Sequence, residues 1–299
     1  MIKTINDRFT IGYIHTKELG EAAPIFGMSE KLAMQCYRSS EEFRPGIYFD
    51  EECTFAKMKF FDPTNDLPDD CLAVYITRGK ILIIDIYDSD RSNSDRAHAV
   101  LGRLNPETIT VGKFIYTFIE ELVAHDAVFL ESLTDDISDM EQSILNDEIP
   151  TDFNKRMLEI KRKLHKLHVQ YERHLDFLEV LESDENNLLP GDEASSVLIS
   201  NIEKRVARFR DNVDYMSETV DHLQDAYSSH LDIKMNHNMM ILTGLTTIFF
   251  PLTIIVGWYG MNFKYMPEFG WPFGYIYVIA LSIVAVFLLI WIARKNKWL

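Results

Sequence analysis

Residues 239–258 read MMILTGLTTIFFPLTIIVGW, and residues 273–293 read FGYIYVIALSIVAVFLLIWIA. Neither run carries a charged side chain. Each matches the roughly 20 apolar residues that carry a helix across a bilayer. Only YGMNFKYMPEFGWP, residues 259–272, lies between them. The pattern predicts a membrane hairpin behind a larger water-soluble part. Passage of an ion or solute, rather than soluble catalysis, becomes the leading question.

The chain has 299 residues and a formal net charge of −16. Taking away the hairpin leaves roughly 230 residues, enough for one or two domains with their own cores. Of the 46 acidic residues, only Glu268 lies beyond residue 238. Such a surface argues against nucleic acid as a partner. It suits cation attraction, and equally ordinary solubility. Cys36, Cys53 and Cys71 show no CxxC spacing and read as reduced packing residues. The N-terminal stretch MIKTINDRFTIGYIHTKELG lacks the apolar run of a secretory signal. Two spans then put both ends on one side, and the basic ARKNKWL ending makes that side the cytoplasm. A multi-pass protein of the cell inner (plasma) membrane is expected, with residues 259–272 outside. No Walker A, HExxH or nucleophile-elbow pattern occurs. Neither an enzyme nor a resident cofactor is therefore expected.

Residues 8–14, 53–60, 71–77 and 80–87 have strand composition. Arg78-Gly79 fits a tight turn that pairs the last two as a hairpin. Helical spacing covers 95–104, 112–147 and 152–182, and ESDENNLLPGD at 182–192 is a break. Between Pro190 and Pro251 the chain has no proline. Apolar residues recur there at Val197, Ile202, Val206, Phe209, Val213, Met216, Val220, Leu223 and Leu231. One helix running from about 193 to 258 would be roughly 90–100 Å long. So long a helix requires neighbours, and self-association supplies them. The expected organisation is an α/β domain over 1–110, long antiparallel helices over 111–190, a stalk helix continuing as the first span over 193–258, an external loop over 259–272, a second span over 273–293 and a basic tail over 294–299. Pro251 removes one amide donor inside the span and leaves a carbonyl available to a cavity. A helix facing a pore shows a residue every three or four positions. Counting inward from Asn262 gives Gly257, Thr253, Phe250, Thr246, Leu242 or Thr243, Met239 and Asn236.

YGMNF at 259–263, MPE at 266–268 and the RKNKWL ending carry a resemblance. The chain resembles the CorA, or 2-TM-GxN, family of divalent cation channels. The resemblance is strong over residues 225–299, rests on arrangement in the stalk and its two preceding helices, and is loose over the first 110 residues. It implies a CorA-like funnel: a homopentamer in the lipid bilayer, with an α/β cytoplasmic domain and long stalk helices leading into a two-helix transmembrane hairpin. The first span would line the pore and the second would face lipid. Gly260, Met261 and Asn262 would form an outer selectivity ring. Asn236, Met239 and Leu242 match the family's inner pore positions, and Phe250 its next apolar constriction. The implied cargo is Mg²⁺, sometimes Co²⁺ or Ni²⁺, with one branch assigned to Zn²⁺. Neutral oxygens suit Mg²⁺, which gives up its water reluctantly.

The resemblance also implies closure by Mg²⁺ bound between cytoplasmic domains, making the ion both substrate and regulatory ligand. Asp225 matches the stalk carboxylate of that site, with a partner on the neighbouring subunit among Asp85, Asp88 and Asp90. Ordinary roles stay open: Phe250 and Thr243 as helix-packing residues, Asn236 as a cap or interfacial residue, Asp225 as a solvated charge. Asp135, Asp136 and Asp139 read as solvated surface or a weak cation site. His165, His168 and His174 lack a partner set for zinc. Two alternatives remain beside the Mg²⁺ channel. One is a Zn²⁺ or Co²⁺/Ni²⁺ carrier of the same fold, possibly proton-coupled. The other is a membrane-anchored sensor or scaffold.

Overall fold

The computed structural model describes residues 2–6, 9–37, 43–50, 52–61, 68–88, 90–105, 107–124, 126–183, 193–261 and 266–295. It falls into two compact units, residues 1–223 and 224–299.

The first unit is built on six strands: β1 (Ile2–Asn6), β2 (Phe9–His15), β3 (Gly46–Asp50), β4 (Cys53–Phe60), β5 (Asp70–Thr77) and β6 (Lys80–Tyr87). Their spatial order is β1-β2-β6-β5-β4-β3. Only the β2–β6 pair is parallel. That pairing needs a crossover, which the segment carrying α1 (Leu19–Phe26) and α2 (Glu30–Cys36) begins. Gly79 closes the β5–β6 hairpin at φ 74°, a conformation that a Cβ would strain. The strands expected at 8–14, 53–60, 71–77 and 80–87 are present. β1, β3, α1 and α2 were not expected.

Both sheet faces are buried. On one, Ile14, Phe55, Tyr75, Leu82 and Ile84 pack with Leu19, Phe26 and Leu32 of α1 and α2. The other face carries the buried Ile11, Met58, Leu72, Val74, Ile76, Ile81 and Ile83. Cys36, Cys53 and Cys71 are free thiols, all buried, as expected. Burial pushes Cys36 up to about 12 and Cys71 up to about 11.

Helices α3 (Ser92–Arg103), α4 (Val111–Leu122), α5 (Asp126–Leu145), α6 (Phe153–Ser183) and α7 (Glu193–Tyr259) follow. The single helix expected over 112–147 is two. The chain turns after Val123, and the Asp126 amide donates to the Val123 carbonyl. Asp126 is thereby buried and accepts a 2.6 Å bond from the Tyr171 hydroxyl of α6. A buried carboxylate requires such a partner, and apolar periodicity does not record it. Helices α6 and α7 run antiparallel: Lys161 meets Asp221 at 2.6 Å, His168 meets Asp214 at 2.7 Å, and Arg210 meets Glu172 at 3.2 Å. These exposed pairs fix register more than they stabilise. The packing comes from Ile199, Ile202, Val206, Val213, Met216, Val220 and Leu223, all buried. Val197 and Leu231, expected on the same stripe, are exposed.

His174 of α6 lies in the core beside the Phe60 ring, at 5.3 Å between centroids. Neither ring nitrogen has a hydrogen-bond partner among the described residues. Burial pushes its pKa down to about 4. The unfolded chain takes up this proton near pH 6.5, and the folded chain only near 4. Stability is therefore lost as pH falls through that window, by up to about 1.4 kcal/mol per pH unit. Thermal midpoints of the full chain and His174→Leu, compared from about pH 8 down to about pH 4, are expected to diverge in favour of the variant at the acid end. Parallel profiles would contradict the assignment.

The second unit holds the remainder of α7 and α8 (Gly274–Lys295). α7 continues through Pro251. Both helices are long and apolar enough to cross a membrane, and no residue in the apolar window of α7 is buried. Leu242, Leu245, Phe249, Phe250, Ile254 and Val256 are all exposed. In water this would leave a continuous apolar surface far larger than soluble proteins show. Lipid and other protein copies are the covers available to it.

Candidate functional site

Two groups of candidate residues fall in different places. The first is a stripe on α7. At about 100° per residue, Asn236, Met239, Leu242, Thr246, Phe250, Thr253, Gly257 and Gly260 fall within an arc of about 120°. All are unburied. The stripe mixes polar and apolar side chains. Thr246 Oγ1 donates to the Leu242 carbonyl at 2.8 Å, and Thr253 Oγ1 donates to the Phe249 carbonyl at 2.9 Å. Each hydroxyl hydrogen is thus engaged with the backbone, which leaves the oxygen as an acceptor. An acceptor is what the water shell of a cation needs, since its hydrogens point outward. Thr243, the alternative to Leu242, accepts through its carbonyl from Thr247 Oγ1 at 2.8 Å.

At the end of α7 the Gly260 amide donates to the Val256 carbonyl at 2.8 Å, and the Met261 amide to Trp258 at 3.3 Å. A Cβ built on Gly260 would stand 3.0 Å from the Val256 oxygen. Glycine therefore lets the helix close tightly there. Gly260 and Met261 are exposed. Asn262 lies outside the described residues.

The second group is acidic and lies at the end of β6. Asp85 is 4% exposed; its Oδ2 accepts from the Tyr13 hydroxyl at 3.1 Å and stands 3.9 Å from His15 Nε2. Burial pushes its carboxyl above the usual range, with His15 opposing and Asp88 adding to the rise. Asp88 is raised too, chiefly by burial. Asp90 is held low, chiefly by the Ser92 amide, which donates at 2.9 Å. Asp70, Asp88 and Asp90 each place one oxygen within 4.8 Å of the others. The sequence reading named Asp85, Asp88 and Asp90 but missed Asp70, whose place depends on strand register. Asp225, on α7 in the second unit, is exposed.

The other candidates do not converge. Asp136 pairs with Arg156 at 3.5 Å, His168 with Asp214, and His174 is in the core.

The CorA-like Mg²⁺ transporter protein family matches residues 14–295. The cobalt/magnesium transport protein CorA of Thermotoga maritima is 29% identical over 266 residues, spanning 86% of this chain and 73% of that protein. A putative metal ion transporter of Bacillus subtilis, YfjQ, is 39% identical over 98 residues, 32% of this chain and 31% of that protein. Among solved structures, the complete CorA magnesium transporter of Methanocaldococcus jannaschii superposes with a TM-score of 0.79 at 23% identity, covering 99% of this chain and 94% of that one. Its fold is therefore that of a full-length CorA: an N-terminal α/β domain, one long helix, and a second candidate span at the C-terminal end. With its family sequence matched from the second strand to the last helix, this chain belongs to the CorA family of Mg²⁺ transporter proteins.

Proposed function

We propose that the chain is one subunit of a homopentameric channel admitting Mg²⁺, together with Co²⁺ and Ni²⁺, down the membrane potential. Family membership accounts for the coarser statement, a divalent-cation transporter of the Mg²⁺/Co²⁺ kind. The observation that carries the finer one is the α7 stripe. It joins hydroxyl acceptors at Thr246 and Thr253 to apolar positions at Leu242 and Phe250, and its upper end is Gly260 and Met261. Copies arranged around that stripe would give a lumen of oxygen rings separated by apolar collars. Such collars close a pore by excluding water. Asn262, beyond Met261, would add a ring of neutral amide oxygens. Mg²⁺ favours oxygen, and the stripe offers hydroxyl and amide oxygens without the imidazole or thiolate that zinc prefers.

No fuel is required. A potential of 100 mV supplies about 4.6 kcal/mol to a divalent ion moving inward. Internal Mg²⁺ would close the channel by bridging Asp225 to carboxylates of a neighbouring subunit, and its loss would let mutually repelling acidic subunits separate. The N- and C-termini would lie in the cytoplasm of a cell with this protein in its plasma membrane.

The test is flux into proteoliposomes with a negative interior, comparing Mg²⁺, Co²⁺, Ni²⁺ and Zn²⁺. Mg²⁺ entry that follows the imposed potential supports the channel. Zn²⁺-selective entry needing a pH gradient would replace it with a carrier. No flux of any ion would leave a membrane-anchored sensor.

A further inference from the structure

The acidic group at the end of β6 is a product of strand register. Leu72 pairs with Asp85, but Cys71 pairs with Tyr87, so Ile86 is an extra residue bulged out of the β5–β6 ladder. In a regular strand, residues three apart point to opposite faces. The bulge cancels that alternation. Asp88, one step past the Cys71–Tyr87 pair, returns to the face that already carries Asp70 and Asp85. Tyr13 shares this face, being paired with Ile83 in parallel register. Asp90 then reaches the same point from the turn into α3, whose first residue, Ser92, donates through Oγ to Asp70 Oδ2 at 3.0 Å.

Hydrogen bonds account for part of this arrangement: the Ser92 amide serves Asp90, and the Ser94 amide serves Asp88 at 3.3 Å. They leave three buried atoms over, of which Asp88 Oδ1 is one, without a partner among the described residues. Asp85 is 4% exposed, and its Oδ1, on the cluster's own face of the sheet, has no partner among the described residues. Asn93, next to Ser92, is 1% exposed, and its Nδ2 likewise has none. Arg96 acts on Asp90, and His15 Nε2 stands 3.9 Å from Asp85. Carboxylates gathered in a half-buried place repel one another, and a bound cation relieves that cost.

We infer that Asp70, Asp88 and Asp90, with Asp85 behind them, bind a hard divalent cation within a single chain. An all-oxygen carboxylate set selects Mg²⁺, Mn²⁺ or Ca²⁺ over softer metals. The buried Oδ1 of Asp85 would accept from a water of the ion's shell. This deepens the cation-regulated reading by adding a site that needs no neighbouring subunit, yet it stands whether or not the protein conducts ions.

The test is Mn²⁺ binding to the detergent-purified full chain after chelator treatment, followed by electron paramagnetic resonance, with thermal midpoints in parallel. Asp88→Asn is expected to bind one Mn²⁺ fewer per chain than the unsubstituted protein. Its midpoint in chelator should equal or exceed the parent's, because one repelling charge is gone, and its rise on adding Mn²⁺ should be smaller. Asp90→Asn, at an exposed position, repeats the measurement if Asp88→Asn fails to fold. Asn262→Ala should keep this binding step, which separates it from any pore site. Equal Mn²⁺ stoichiometry and equal thermal response in the folded Asp variants and the parent would overturn the inference, even where Mg²⁺ flux is normal.

Discussion

Asn262→Ala is expected to lower Mg²⁺ flux about a hundredfold or more, while Phe250→Asn, on the α7 stripe, is expected to raise leak when internal Mg²⁺ is high. The opposite signs follow from the two proposed roles, an amide that holds the ion's water shell and an apolar collar. A hydrogen bond to the shell of a charged ion contributes about 1.5–3 kcal/mol. Losing two such bonds from a ring of amides costs about 3 kcal/mol, which is roughly a hundredfold. Phe250 acts the other way. It is 64% exposed in the single chain, and its proposed role is to repel water in the closed pore. An amide there, repeated in every subunit, would hold water in the constriction. Proteoliposome flux with internal Mg²⁺ clamped low and then high reads both effects. Loss of flux in both variants would make Phe250 a packing residue rather than a gate. Unchanged flux in Asn262→Ala would remove the selectivity ring.

The membrane half of this protein is legible in its sequence because its determinants are contiguous. Two uncharged runs and YGMNF lie within one short stretch, and no distant residue is needed to interpret them. The long helix is equally legible, since proline-free periodicity is a local property. Where partners are remote, the reading stops. The break after Val123 exists because Asp126 reaches Tyr171 across the fold. β3 pairs antiparallel with β4 as an edge strand, and its GIYFD sequence lacks a distinctive alternation. Asp70 could not be assigned to the acidic cluster without knowing that Ile86 is bulged, because an unbroken ladder would alter which side chains share its face. Composition conveys that the water-soluble part is acidic, whereas register decides which three of those acids meet.

Gly112→Val is expected to destabilise the folded chain by about 3 kcal/mol, the upper end of the usual cost of overpacking. Gly112 lies in the first turn of α4, where Thr110 caps the helix by accepting from the Lys113 amide at 3.2 Å. The first turn of α7 crosses this point so closely that a Cβ on Gly112 would stand 2.4 Å from Ser195 Cβ and 2.8 Å from its Cα. A rotamer change could move Ser195 Oγ, but Cβ and Cα are fixed by the backbone, so relieving these two clashes moves α7. Thr110 Oγ1 and Ser195 Oγ, 2.9 Å apart, would be separated by the same movement. The same helix α7 carries the proposed pore stripe. A thermal midpoint measured in detergent should fall by several degrees for Gly112→Val. Adding Ser195→Gly should restore only part of the loss, since it removes the Cβ contact but not the Cα one. Full restoration would mean that the side chain alone fills the gap, and no loss at all would mean that α4 and α7 can separate freely. The double-mutant comparison is informative because the two positions touch, which is where additivity fails.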